Sequence, residues 1–151
     1  IIKEYHRILK LNTQDSDTGY FNAGEYKKLP NEVGGGITAC PAEVPGKIRD
    51  LLDRYNAKEP HSIEDIIDFH YHFEKIHPFQ DGNGRAGRMI IFKECLKNKV
   101  IPFVIQDEYK LYYYRGLQNY KTEKGFLIDT CLNAQDIYKG YIRTFLPEFT
   151  E

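Results

Sequence analysis

The sequence predicts an all-α fold carrying one small β-hairpin. Three observations lead there. Apolar residues recur at spacings of three and four through most of the chain, the period of an amphipathic helix. Helix-boundary residues (Pro41, Ser62, Pro78, Gly82 and Asp107) fall between those stripes. One glycine-rich stretch, LPNEVGGGI, has the turn chemistry of a hairpin instead.

Taken in order, Ile1, Tyr5, Ile8 and Leu9 mark a short first helix, followed by the polar loop NTQDSDTGYFNAG. Pro30, Asn31 and the glycines from Gly34 to Gly36 then place a hairpin or extended flap within EYKKLPNEVGGGIT, residues 25–38. Val44, Ile48, Leu51, Leu52 and Tyr55 form a clean helical stripe, with Pro41 and Pro45 at its entrance, where proline is tolerated. Ser62 is the expected N-cap of a helix whose stripe is Ile63, Ile66, Ile67, His70, Phe73, Ile76 and His77. Pro78 and Gly82 stop it. After the loop PFQDGNG, Arg85 opens a helix through Met89, Phe92, Cys95 and Leu96. Asp107 is the expected N-cap of the aromatic helix EYKLYYYRGLQNY. Leu127, Cys131, Ala134, Tyr138, Tyr141 and Phe145 line the last helix, about 123–146.

Bulk properties narrow the class. With 151 residues and 41% apolar residues, the chain is read as one domain whose core needs no disulfide. A formal net charge of −1 offers no broad basic surface, which argues against nucleic acid and anionic membrane as main partners. Cys40, Cys95 and Cys131 contain no CxxC pair, so neither a zinc ribbon nor a redox motif is expected. Cys95 and Cys131 lie on apolar stripes and read as buried thiols, which suits a reducing compartment. No apolar run reaches about 18 residues, and IIKEYHRILK is unlike a signal peptide. A cytoplasmic location is therefore expected. The chain begins at Ile1 rather than Met, consistent with residues removed upstream.

The chemistry concentrates in HPFQDGNGRAGR, residues 77–88. Gly82 and Gly84 flank Asn83 just before a helix, so backbone N–H groups and the helix dipole can converge on an anion. Arg85 and Arg88 share a face, and two guanidinium forks suit a polyphosphate. Asp81 is the loop's only carboxylate. Beside phosphate it calls for a cation between them, and Mg²⁺ commonly takes few protein ligands. His77 is the nearby group that titrates near neutral pH. Each feature alone has a plain reading: a turn, a solvated helix face, a hydrogen-bonded histidine. One nucleotide ligand explains them together, in phosphoryl or nucleotidyl transfer.

At every fixed position this segment resembles the signature of the Fic family, H-x-F-x-[D/E]-G-N-G-R-x-x-R. His70, seven residues before His77, also matches a histidine common in that family. The similarity extends over residues of about 24–120. It implies a protein adenylyltransferase that uses Mg²⁺ and ATP. His77 would deprotonate a Ser, Thr or Tyr hydroxyl of a protein target, and Phe79 would anchor the loop. Asp81 would hold Mg²⁺. Gly82, Gly84 and the Asn83 side chain would stabilise the α-phosphate, while Arg85 and Arg88 would bind the leaving phosphates. Tyr113 and Tyr114 would line the adenine pocket. The flap, with Asn31, Glu32, Val33 and Gly34, would pair with the target by strand addition.

Many Fic proteins carry an inhibitory helix, [S/T]-x-x-x-E-[G/N], whose Glu pairs with the second motif arginine. Thr144 and Glu148 have its spacing, but Phe149 follows and Pro147 interrupts the helix. The inhibitory element is expected upstream or on a partner protein. Self-modification and a homo-oligomer built on aromatic stripes are also compatible with the sequence. Alternatives are a Fic-fold phosphotransferase or de-AMPylase, a regulatory or toxin–antitoxin nucleotide-binding scaffold, and a metal site from His70, His72 and His77. His6 and His61 are expected at the surface, and His72 is expected to be solvated.

Overall fold

The computed structural model describes residues 1–11 and 22–146. Six α-helices and a two-stranded hairpin occur among them: α1 Ile2–Lys10, β1 Glu32–Val33, β2 Gly36–Ile37, α2 Val44–Asn56, α3 Ile63–Ile76, α4 Asn83–Lys97, α5 Lys110–Asn119 and α6 Gly125–Phe145. The predicted all-α class with one hairpin is the observed one. Thr144, the first residue of the spacing set aside as an inhibitory pattern, lies in α6, whereas Pro147, Glu148 and Phe149 lie outside the described residues, as does most of the polar loop after α1.

Two compact units divide the chain. The first comprises Ile1–Pro60 and Asp68–Ile90. Its core gathers Val44, Ile48 and Leu51 of α2, Phe69, Phe73 and Ile76 of α3, Ala86 and Ile90 of α4, and Ile2, Ala39 and Phe79. Phe73 and Phe79 are fully buried. Each such ring contributes roughly 1.5–3 kcal/mol by leaving water. The hairpin belongs to this unit. Glu32 pairs with Ile37 and Val33 with Gly36, so Gly34 and Gly35 form the two-residue turn, both at positive φ (57° and 73°). Glycine is the residue such a mirror-image turn accepts without strain.

The second unit comprises His61–Ile67 and Ile91–Glu151. Ser62 and Asp65 exchange reciprocal side-chain-to-backbone hydrogen bonds (2.8 and 3.2 Å), the capping box expected from Ser62. Gly116 brings α5 against α6 so closely that a Cβ there would stand 2.7 Å from the Leu127 Cα. Cys95 and Cys131 are buried thiols, as read from their stripes, and burial raises both above the ordinary thiol range, Cys95 to about 11.

Several local expectations change. The first helix buries Ile2, His6 and Lys10, while Ile1 and Ile8 are exposed. Nine residues with apolar side chains on two faces do not determine which face turns inward. Here the polar one does, because hydrogen bonds await it. His6 is therefore buried, not at the surface; His61, in the second unit, is buried as well. The His61 N–H donates to Asn98 Oδ1 at 3.0 Å. Asp107 does not cap α5; a 3₁₀ turn over Asp107–Tyr109 precedes it. Helix α4 starts two residues before Arg85, at Asn83. In α6, Tyr141 and Phe145 continue the stripe but are exposed, and the buried face ends near Gln135, whose Nε2 donates to the Ile101 carbonyl at 2.6 Å.

Candidate active site

All residues of the HPFQDGNGRAGR segment lie in the first unit. Helix α3 ends where His77 enters the left-handed region at φ 51°, and Pro78 cannot continue the helix. The His77 N–H still closes on the Phe73 carbonyl at 3.0 Å, so the imidazole leaves from the last turn. Its Nδ1 is buried with no hydrogen-bond partner. Burial pulls the ring below the ordinary histidine value, with the Glu74 carbonyl acting in the opposite sense. A neutral imidazole always keeps one ring nitrogen able to accept a proton.

The following loop is held from three sides. Phe79 is fully buried, its ring stacked on His6 at 3.8 Å and tilted against Tyr26 and Phe73. Asn83 closes the loop on itself. Its Oδ1 accepts the Phe79 N–H and its Nδ2 donates to the Phe79 carbonyl, both at 2.8 Å. From the flap side, Asn31 Nδ2 donates to the same carbonyl at 3.0 Å and the Lys27 N–H to the Pro78 carbonyl at 2.9 Å. The buried Lys27 ammonium reaches Asn31 Oδ1 and Thr38 Oγ1, each at 2.7 Å, tying the hairpin's base together.

Gly82 turns the chain into α4 at φ 79°, where a Cβ would meet His6 and Leu9 at 3.4 Å. The Ala86 N–H then bonds the Gly82 carbonyl at 2.9 Å. The N–H groups of Asn83, Gly84 and Arg85 precede the first N–H that bonds within the helix, that of Ala86, so they are left without an intrahelical acceptor. The Arg88 guanidinium lies across Gly84, with Nη1 3.2 Å from where a Cβ would stand. Arg85 is exposed on the same opening turns. Donors, helix dipole and two guanidinium groups are the elements from which an anion site is built.

Asp81 is held by α1. Lys10 Nζ lies 2.7 Å from Asp81 Oδ2, Arg85 Nη2 lies 3.3 Å from the same oxygen, and His6 Nε2 donates to the Asp81 carbonyl at 2.9 Å. The Lys10 hydrogen bond is the main cause holding this carboxyl below its ordinary value. The carboxylate is ionised and 48% exposed, which fits a magnesium ion bound through one carboxylate with phosphate and water completing its shell. Among the described residues no three His, Cys, Asp or Glu side chains gather as a metal cage, which removes the His70, His72 and His77 arrangement. His72 is about one-third exposed and pairs with Asp68.

The predicted residues therefore separate into groups. His77, Asp81, Gly82, Gly84, Arg85 and Arg88 gather around the loop. Asn83, expected to offer its side chain to phosphate, has both side-chain polar atoms committed to Phe79 and is 2% exposed. Asn31 likewise spends its amide inside the loop, and Gly34 occupies the hairpin turn. Glu32 and Val33 are exposed on β1. Tyr113 and Tyr114 stand on α5 in the second unit. Tyr113 is buried and Tyr114 is 45% exposed.

Sequence reasoning missed His6, Lys10 and Glu74. Glu74, on α3, is buried with Oε1 unbonded, and burial pushes its carboxyl up to about 7, while Arg88 lowers it. His70 Nε2 is 4.0 Å away, and burial drives that imidazole down to about 3. The signal available for Glu74 was its spacing, four residues after His70 on one helix and three before His77. No local signal marked His6 or Lys10.

Comparison with known proteins agrees with this geometry. The sequence model of the Fic/DOC family matches residues 1–94, and so takes in α1 as well as the motif loop. "Protein adenylyltransferase Fic" of Aedes aegypti is 29% identical over 98 residues, 63% of this chain and 20% of that protein. Its namesake in Nematostella vectensis is 28% identical over 138 residues, 81% of this chain and 32% of that one. The chain thus spans about a fifth to a third of these relatives. Among solved structures, a Fic-domain-containing signalling protein of Bacteroides thetaiotaomicron superposes with a TM-score of 0.68 at 29% identity, covering 95% of this chain and 56% of that one. Fic-1 of Caenorhabditis elegans shares the fold, with a TM-score of 0.74 at 22% identity over 97% of this chain and 43% of that one. The loop that ends α3 and opens α4 is the feature on which all of this converges, and the chain belongs to the Fic/DOC family.

Proposed function

We propose that this chain transfers AMP from ATP to a hydroxyl side chain of a protein, releasing pyrophosphate. The observation that carries the reading is the placement of His77. Its neutral imidazole lies at the end of α3, in the loop that leads directly to the anion site opening α4.

The target oxygen attacks the α-phosphorus and forms the new P–O bond. The bond from the α-phosphorus to the bridging oxygen breaks, and pyrophosphate leaves with its electron pair. The proton of the attacking hydroxyl passes to His77. The main-chain N–H groups of Asn83, Gly84 and Arg85 receive the charge that develops on the α-phosphate. Arg85 and Arg88 hold the leaving phosphates. Asp81 would hold Mg²⁺, which when bound neutralises phosphate charge. Asn83 keeps the loop in shape through Phe79. The exposed β1 edge, Glu32 and Val33, would pair with an extended target segment, with Asn31 anchoring the flap to the loop. Of the two tyrosines, the exposed Tyr114 is the better adenine candidate by its accessibility.

The name carried by the adenylyltransferase relatives supports this reading, as does the intact Gly84–Arg85 pair, which a phosphotransferase of this family would have altered. Intact-mass measurement after incubation with Mg-ATP and candidate targets tests it. A His77-dependent gain of one AMP on the chain or a target is the expected result. A gain of one phosphate instead would establish phosphotransfer. ATP binding without modification of any target would favour the scaffold reading.

A further inference from the structure

The contact between Lys10 and Asp81 spans 71 positions of sequence and brings a buried ammonium onto the one carboxylate of the motif loop. Lys10 is 2% exposed, whereas the Asp81 carboxylate remains about half open to solvent. A buried ammonium is costly unless it is paired, so an apolar side chain at this position would serve the buried helix face better if packing were all that mattered. Four residues earlier on the same face, His6 fixes the Asp81 main chain, so α1 holds this residue by backbone and side chain together. Arg85 adds a second positive charge to the same carboxylate oxygen, from the exposed side.

We propose that Lys10 is a resident counter-cation of the magnesium site, a positioning residue whose charge makes divalent-ion binding at Asp81 conditional on nucleotide. The inference rests on the reading of Asp81 as the metal-holding residue. One carboxylate already facing two monocations carries no net negative charge to offer. A divalent ion arriving alone meets like charge within a few ångströms, in a partly desolvated setting where repulsion is strong. Nucleotide phosphates bring several negative charges to the adjacent N–H groups and reverse that balance. Metal and nucleotide then promote one another's binding, and the coupling is reciprocal. Without Lys10 the carboxylate would accept a divalent ion with the phosphates absent.

The experiment measures Mn²⁺ binding by electron paramagnetic resonance, with and without ADP, in the parent chain, Lys10→Met and Asp81→Asn. In the absence of ADP, Lys10→Met should bind Mn²⁺ at least about tenfold more tightly than the parent, and ADP should narrow the gap to within about threefold. Equal or weaker binding by folded Lys10→Met without ADP overturns the proposal. If Asp81→Asn with ADP binds Mn²⁺ as the parent does, the reading of Asp81 fails, which is a separate result. Should Lys10→Met not fold, side-chain nitrogen NMR of the parent decides. Mg²⁺ alone should leave the Lys10 ammonium signal in place and Mg-ADP should move it. Movement on Mg²⁺ alone overturns the proposal.

Discussion

Asn83 and Phe79 are joined by two 2.8 Å hydrogen bonds that run in opposite directions, side-chain amide to main chain. The pair closes a small ring at the mouth of α4, and that ring sets where the outward N–H groups point. Asn83→Ala should leave the buried Phe79 N–H without an acceptor. The expected cost is about 1–3 kcal/mol, read by urea denaturation. Asn83→Asp keeps an acceptor for the Phe79 N–H but sets a second oxygen against the Phe79 carbonyl at a buried position, so it should not recover that loss. Full recovery by Asn83→Asp would count against the ring as the element that matters.

Gly87 faces Glu74 so closely that an added Cβ would stand 2.5 Å from Oε1 and 3.0 Å from the His70 ring. Gly87→Ala should therefore destabilise by about 1–3 kcal/mol through overpacking. Combining it with Glu74→Ala should recover most of that loss, since the two side chains compete for one space. Strict additivity in a double-mutant cycle would show that the clash is relieved elsewhere.

The buried His70–Glu74 pair predicts an unusual acid profile. Glu74 titrates at about 7 against an ordinary 4.5, so between those values the native state keeps a proton that the unfolded chain has released. Its contribution to stability is present at low pH and is lost as pH rises to about 7. His70 titrates at about 3 against 6.5, so the native state refuses a proton that the unfolded chain accepts. Its contribution is lost as pH falls from 6.5 towards 3. The two slopes oppose each other between 4.5 and 6.5, and only the histidine's remains below. Denaturation curves across pH should show a flat region, then a fall below about 4.5. In Glu74→Gln the fall should begin near 6.5.

His77 combines a catalytic expectation with a backbone one. His77→Asn keeps a residue that tolerates the left-handed conformation and removes the proton acceptor. AMP transfer should drop by roughly 10²–10⁴-fold while the thermal midpoint stays close to the parent's. A large loss of stability would mean that the imidazole is chiefly a packing element.

The capping box predicts a smaller, purely local effect. Ser62→Ala should cost about 0.5–2 kcal/mol in stability without altering nucleotide binding, as measured by calorimetry.

Much of this was legible in the chain. Periodicity located the helices, and the inward faces of α2 and α3 well, because Val44, Ile48, Leu51, Phe73 and Ile76 are apolar at helical spacing and had one side to bury; in α4, Met89 and Leu96 of the expected stripe are exposed. Consecutive glycines placed the hairpin, because Gly34 and Gly35 accept the positive φ its turn requires. The motif's donors, arginines, carboxylate and histidine were adjacent in sequence, so their convergence needed no long-range information. Tertiary structure decided the rest. It turned the polar face of α1 inward, put His6 on Phe79 and Lys10 on Asp81, and took the amides of Asn31 and Asn83 for the loop itself. Those contacts join residues up to 75 positions apart. No local propensity encodes them, because what makes a buried histidine or lysine favourable is the partner that folding brings to it.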